Sequence, residues 1–230
     1  MLPIILMAGI SVCLFLSVRL MYGGIWGLLT KILASFMFVT VGLVGIIRDQ
    51  NAIILSILIL LGLFCGFIGD ILLDLKVIYK ENNDIFLNSG IFSFFIGHLF
   101  YLVSLIVYAN NKIELLTPIL ISLAIAMVLT PIIILGGKKF MKLNFGKFIW
   151  QTSAYSFILI FVSALSIYFT ILNSKFMLIA IGLVLILISD LILSQNYFKE
   201  NQENNKILIF FNHLIYYAGQ IVIASTLFLI

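Results

Sequence analysis

The sequence predicts an all-α polytopic membrane protein, a bundle of eight transmembrane helices forming one domain over residues 1–230. Three observations carry that prediction. Of the 230 residues, 63% are hydrophobic and 10% charged, with a mean hydropathy of +1.27; a soluble domain runs nearer about 45–50% apolar and about 25% charged. The charges fall in short breaks between long apolar runs. A spanning helix uses roughly 20 apolar residues, so the length accommodates about eight spans with short loops and no separate soluble domain. This composition excludes a soluble globular protein, a disordered chain and a nucleic-acid binder.

The spans follow one another at residues 2–20, 25–47, 52–75, 85–109, 115–135, 148–172, 176–195 and 207–230. They must be helices, because a backbone exposed to lipid has to satisfy its own hydrogen bonds. The first run lacks a basic leading segment and continues to Arg19 with no small-residue cleavage site. It reads as a retained span rather than a cleaved signal peptide. Pro118 lies near the start of the fifth span, where a missing N–H costs little, and Pro131 near its end is placed to kink it. Cys13 and Cys65 sit singly inside apolar runs, which supports neither a disulfide framework nor a thiolate metal site.

Orientation follows from the basic residues. Arg19, Lys31, Lys76, Lys80, Lys138, Lys139, Lys142, Lys147, Lys199 and Lys206 fall on one side, against Arg48, Lys112 and Lys175 on the other. The positive-inside rule then places both termini outside and the loops after spans 1, 3, 5 and 7 in the cytoplasm. Residues 136–142 form a basic loop with apolar interleaving. It reads first as topogenic charge, and second as a contact for anionic head groups.

Ionisable groups inside a membrane are costly, at least about 2.5–3.5 kcal/mol at mid-bilayer, so the few present are informative. They are Asp70 and Asp74 late in span 3, His98 in span 4, Asp190 late in span 7 and His213 early in span 8. Counted from the span ends at 1.5 Å per residue, Asp70, Asp190 and His213 share one layer roughly 7–10 Å below the cytoplasmic surface. His98 lies deeper or in that layer, depending on where its span begins.

The flanking residues repeat. The segment from Gly69-Asp70 to Asp74 resembles that from Ser189-Asp190 to Ser194, and His98-Leu99-Phe100-Tyr101 resembles His213-Leu214-Ile215-Tyr216. The order suggests two parallel four-helix halves, residues 1–110 and 111–230, with a binding site where they meet. Spacing also gives each helix one polar face: Asp70 with Asp74, Asp190 with Ser194, His98 with Tyr101, and His213, Tyr217 and Gln220 at steps of four and three. A seam glued by side-chain hydrogen bonds is the plainer reading of such faces.

Two carboxylates in one low-dielectric cavity cannot both ionise cheaply, so one keeps its proton. The result is a general acid beside a general base. That pair suits acid-catalysed hydrolysis of an ether or acetal-like bond, through an oxocarbenium-like centre and an activated water. No serine has the G-x-S-x-G setting of an esterase elbow. With two histidines only, a metal hydrolase is one ligand short unless two carboxylates serve. The expectation is therefore catalysis without metal or cofactor.

The order of these motifs resembles the YhhN family, the lysoplasmalogenases. In that family a Gly-Asp ends one span, a run containing Phe and Gly leads to His-x-x-Tyr, a Ser-Asp ends the penultimate span, and the last span carries Tyr and Gln. The matching residues are Gly69, Asp70, Phe94, Gly97, His98, Tyr101, Ser189, Asp190, Tyr217 and Gln220, with Lys31 and Tyr155 as further candidates. The resemblance runs from about residue 31 to 220; His213 and Asp74 stand at its margin. It implies a membrane hydrolase that splits the vinyl ether bond of lysoplasmalogens into a fatty aldehyde and a glycerophosphoethanolamine or glycerophosphocholine. Asp70 and Asp190 are then the catalytic pair, with Lys31, Asp74, His98, Tyr101, Tyr155, Ser189, His213, Tyr217 and Gln220 binding or supporting. The expected partners are a lysophospholipid and the bilayer, with no nucleic acid. Residue usage rich in Ile, Asn and Lys points to a bacterial plasma membrane.

Three alternatives stay open at this stage. Intramembrane Asp and His also serve as proton relays in coupled transporters. A hydrolase of another lysolipid or an epoxide would need the same acid–base pair. A non-catalytic lipid-binding bundle would need none of it.

Overall fold

The computed structural model describes residues 1–48, 52–110, 114–202 and 205–229. These form eight long helices and no strand: α1 (Leu2–Met21), α2 (Gly24–Arg48), α3 (Ile53–Ile78), α4 (Asn83–Ala109), α5 (Leu116–Phe140), α6 (Ile149–Leu172), α7 (Met177–Phe198) and α8 (Lys206–Ser225). All eight are long and apolar enough to span a membrane, so the chain is an integral membrane protein. Apolar residues cover the outside as well as the core: Leu6, Ile10, Phe36, Ile54, Phe92 and Ile132 are all exposed. A water-soluble protein does not present so continuous an apolar surface. Trp26 and Trp150, near the starts of α2 and α6, are exposed at the same end of the bundle, where amphipathic rings mark a membrane interface.

The connections after α1, α3, α5 and α7 lie at that end, called here the basic end. Three expectations shift there. Residues 136–140 belong to the last turns of α5, so the basic connection is shorter than the sequence suggested. Arg19 and Lys31 are not loop charges; both lie within helices, and Lys31 is buried. Helices α3 and α7 also run past their apolar stretches, where Lys76 Nζ sits 3.5 Å over the Tyr197 ring. Asp70 and Asp190 are thus each eight residues from their helix ends, and His213 is seven into α8. The layer holds, at about 10–12 Å of depth, a turn deeper than the apolar runs implied. Lys112, counted on the opposite side, lies outside the described residues.

Helices α1 to α4 and α6 to α8 pack in sequence around the bundle, α4 directly on α6, and α8 closes onto α1, α2 and α3. Helix α5 packs on α6. Small residues set the closest approaches. A Cβ on Gly62 would lie 2.3 Å from the Tyr101 ring, and one on Gly69 would lie 2.6 Å from Phe94. So α3 carries notches that receive α4 aromatics, and the notch beside Asp70 fixes that helix's rotation. On the other side, a Cβ on Gly219 would sit 2.8 Å from the Gly182 carbonyl oxygen, locking α7 against α8. Without a hydrophobic driving force between helices in lipid, such backbone approach is what association uses. Gly219→Ala therefore forces the α7–α8 pair apart. Its expected cost is about 1–3 kcal/mol, read as a lower thermal midpoint in detergent; an unchanged midpoint would refute this account of the seam.

Candidate active site

The register that brings the polar residues together comes from antiparallel packing of α2 on α3. Lys31 meets Asp74 and Ser35 meets Asp70 one turn further along both helices. Asp70 is buried and held by three donor groups. Ser35 Oγ donates to its Oδ2 at 2.6 Å, Tyr216 OH donates to the same oxygen at 2.9 Å, and Lys31 Nζ lies 3.4 Å from Oδ1. Asp74 pairs with two cations, Lys31 Nζ at 3.1 Å and Arg19 Nη1 at 3.0 Å. Two carboxylates thus share two cations in a buried cluster, which is how charge persists inside a membrane.

A chain of hydroxyl and amide groups extends behind Asp70. Tyr217 OH and Ser35 Oγ are 2.8 Å apart. Gln220 Nε2 donates to Tyr216 OH at 3.1 Å, and Tyr101 OH donates to Gln220 Oε1 at 3.3 Å. These bonds orient Tyr216 toward the carboxylate and leave few ways to rotate any member alone.

Asp190 sits differently. It accepts a short hydrogen bond on Oδ2 from Tyr155 OH on α6, and among the described residues Oδ1 has no partner. Its neighbour Ser189 ties α7 to α8: Ser189 Oγ donates to the Asn212 carbonyl at 3.1 Å, and Asn212 Nδ2 donates back to the Ser189 carbonyl at 2.8 Å. This clamp turns Asp190 inward toward Tyr155.

Asp70 and Asp190 line one cavity, together with Lys31, Tyr155, Ser189, His213 and Tyr216. Its remaining wall is mostly apolar, including Leu87, Ile91, Phe94, Ile133, Leu159 and Leu187. A largely apolar concavity with a few convergent polar groups is the usual form of a small-molecule site. Five residues named from the sequence stand behind this wall instead: Asp74, His98, Tyr101, Tyr217 and Gln220. Asp74, Tyr101, Tyr217 and Gln220 support the wall through the bonds given above.

The two histidines, similar in sequence, part company here. Each Nδ1 lies 2.7 Å from the carbonyl four residues earlier, Phe94 for His98 and Ile209 for His213. His213 lines the cavity and packs edge-on against Phe15. His98 lies fifteen residues into α4, buried edge-on against Tyr101 and Tyr155, and its Nε2 has no partner among the described residues. It is deeper than the carboxylate layer, because α4 begins at Asn83. Among the described residues, no three His, Cys, Asp or Glu converge as metal ligands.

Sequence reasoning missed Ser35, Arg19 and Asn212 as site residues. Ser35 could have been found, since it lies four residues after Lys31 and so on the same helix face. Arg19 carried no such signal; its role depends on its side chain reaching Asp74 of α3 from α1.

The model of the YhhN family matches residues 8–227, nearly the whole chain. The chain belongs to the YhhN family. No curated protein and no solved structure matches it. In this YhhN chain the matched region takes in α1 from residue 8, all of α2 to α8 and every residue of the cavity wall.

Proposed function

We propose that this YhhN protein is a membrane-embedded hydrolase that cleaves the vinyl ether bond of lysoplasmalogens. The observation that carries the reading is the pair Asp70 and Asp190 on one mostly apolar cavity, differently partnered. Asp190 offers an oxygen without a partner and is the group placed to deliver a proton. Asp70, held by a cation and two hydroxyls, is the acceptor, with its charge matched by Lys31. Environments that separate two carboxylates in this way assign them opposite roles.

The chemistry then runs in three steps. Asp190 transfers its proton to the alkenyl carbon remote from oxygen, leaving an oxocarbenium centre on the adjacent carbon. Water adds there and gives its proton to the ionised carboxylate of Asp70. In the resulting hemiacetal Asp70 returns that proton to the departing ether oxygen and the hydroxyl proton passes to Asp190, which gives a fatty aldehyde and the free hydroxyl of the glycerophospho head group and restores both carboxyl groups. Every atom of water is accounted for, and no oxidant or cofactor enters. With the basic end in the cytoplasm, the depth of about 10–12 Å suits a bond one glycerol below a phosphate at the interface. The setting is a bacterial plasma membrane with both termini outside.

The test compares alkenyl, acyl and alkyl lysophosphatidylethanolamine side by side with purified protein, with and without a chelator. Aldehyde release from the alkenyl lipid alone, indifferent to chelator, is the expected result. Turnover of the acyl lipid in its place would move the protein to another lysolipid hydrolase. Transport of an unaltered lipid would make it a carrier.

A further inference from the structure

The two halves of the chain carry several matching contacts and a difference that bears on the cavity. Ser35 of α2 donates to Asp70 of α3, and Tyr155 of α6 donates to Asp190 of α7; both pairs span 35 residues. Helix α8 packs on α2 as α4 packs on α6. The difference lies in the outer helix of each half. Helix α1 packs on both α2 and α8, whereas α5 packs on α6 and makes at most marginal contact with α4 and α7. In the first half, an ion pair between Arg19 and Asp74 at 3.0 Å bridges from α1 to α3. In the second half Ser194 stands four residues after Asp190, where Asp74 stands four after Asp70, and among the described residues it bonds to the Leu191 carbonyl of its own helix.

The cavity meets the seam between α5 and α7. Ile133 of α5 and Leu187, Leu191 and Ser194 of α7 line it, and of all its lining residues Leu191 alone is exposed, at 39%. Leu191 lies seven residues before the end of α7, about 10 Å below the basic end and so at the depth of acyl chains. Toward the basic end the same seam is shut. Leu143 and Phe145 tuck under Ile134, and Asn144 N donates to the Phe198 carbonyl at 2.7 Å. These contacts cover the cavity toward the basic end, and its one exposed lining residue, Leu191, lies on the side between α5 and α7.

We propose that the seam between α5 and α7 is a lateral portal that admits the alkyl chain of a single-chain phospholipid from the bilayer. The chain lies between Ile133 and Leu191, with its polar end drawn inward to Asp70 and Asp190. A second acyl chain has no matching seam, because the α1–α3 side is held by its ion pair. This rests on the lysolipid reading above, and its test is independent of turnover.

The test uses a background of Cys13→Ser with Cys65→Ala, reconstituted in nanodiscs. Single cysteines at Leu191→Cys and Ile133→Cys report the portal, and Ile181→Cys, lipid-facing on α7 but away from the cavity, is the control. Each is labelled with bimane and titrated with an uncleavable alkyl-ether lysophosphatidylethanolamine bearing a nitroxide on its chain. Quenching that saturates at 191 or 133, is reversed by unlabelled alkyl lysolipid, and stays linear at 181 is the expected result. Linear, uncompeted quenching at both portal positions, or equal behaviour at all three, overturns the portal. Saturable quenching without aldehyde release from the alkenyl lipid would leave the portal standing and remove the hydrolase. Aldehyde release with linear quenching would do the reverse.

Discussion

Asp190→Asn and Asp70→Asn each lower aldehyde release from an alkenyl lysolipid by about 10²–10⁴-fold, the range removed with a positioned acid or base, while the protein still folds. The amide at 190 keeps the shape and can still accept from Tyr155, but it has no proton acidic enough to give to carbon. The amide at 70 keeps contacts with Ser35 and Tyr216 and removes the charge. Lys31 keeps its shorter contact there, Asp74 at 3.1 Å from its Nζ, but then shares that carboxylate with Arg19, so a lower thermal midpoint accompanies the loss of turnover. Fold is checked by the elution profile and thermal midpoint in detergent, activity by aldehyde trapping. Because the two carboxylates act as a unit, the double variant should be little worse than the poorer single one. Near-normal turnover in either variant would refute the acid–base assignment, and a fully additive double loss would argue for separate roles.

Asp74→Ala has the largest expected effect on stability. It leaves Arg19 and Lys31 in the bundle with Asp70 as their one nearby carboxylate. Side-chain exposures of 13% for Arg19 and 4% for Lys31 mean that water cannot take over the charge. Breaking a buried pair by removing one partner costs about 3–5 kcal/mol, enough to lower the thermal midpoint sharply or prevent recovery of folded protein. Arg19→Met in the same background removes one of the two orphaned cations and should restore part of the loss. That coupling is read from a double-mutant cycle in thermal midpoints. Independent, additive effects of the two substitutions would show that the ion pair between α1 and α3 is incidental.

The Asp74 cluster shows why part of the site escaped the sequence. Asp74 was visible as an acidic residue one turn after Asp70, and Lys31 as a basic residue within reach of the membrane. Their meeting was not visible, because it depends on α2 lying antiparallel to α3 in a particular register. Arg19 was read as a charge that sets orientation, and its carboxylate partner is 55 residues away. His98 and His213 share a local motif, yet one faces the cavity and the other a ring stack, because α4 begins early enough to carry His98 deeper.

The sequence by itself determined that the chain crosses the membrane eight times as helices, and that Asp70, Asp190 and His213 lie at one depth. Both conclusions follow from distance along a helix: every backbone group in lipid must bond within its own segment, so residue count converts directly to depth. Tertiary structure alone decided which helices are neighbours, which carboxylates are tied to cations, and which residues line the cavity. Helices that are apolar on every face show no stripe to name their partners, so those choices are made by glycine notches, by buried ion pairs and by the one helix, α5, that stands apart.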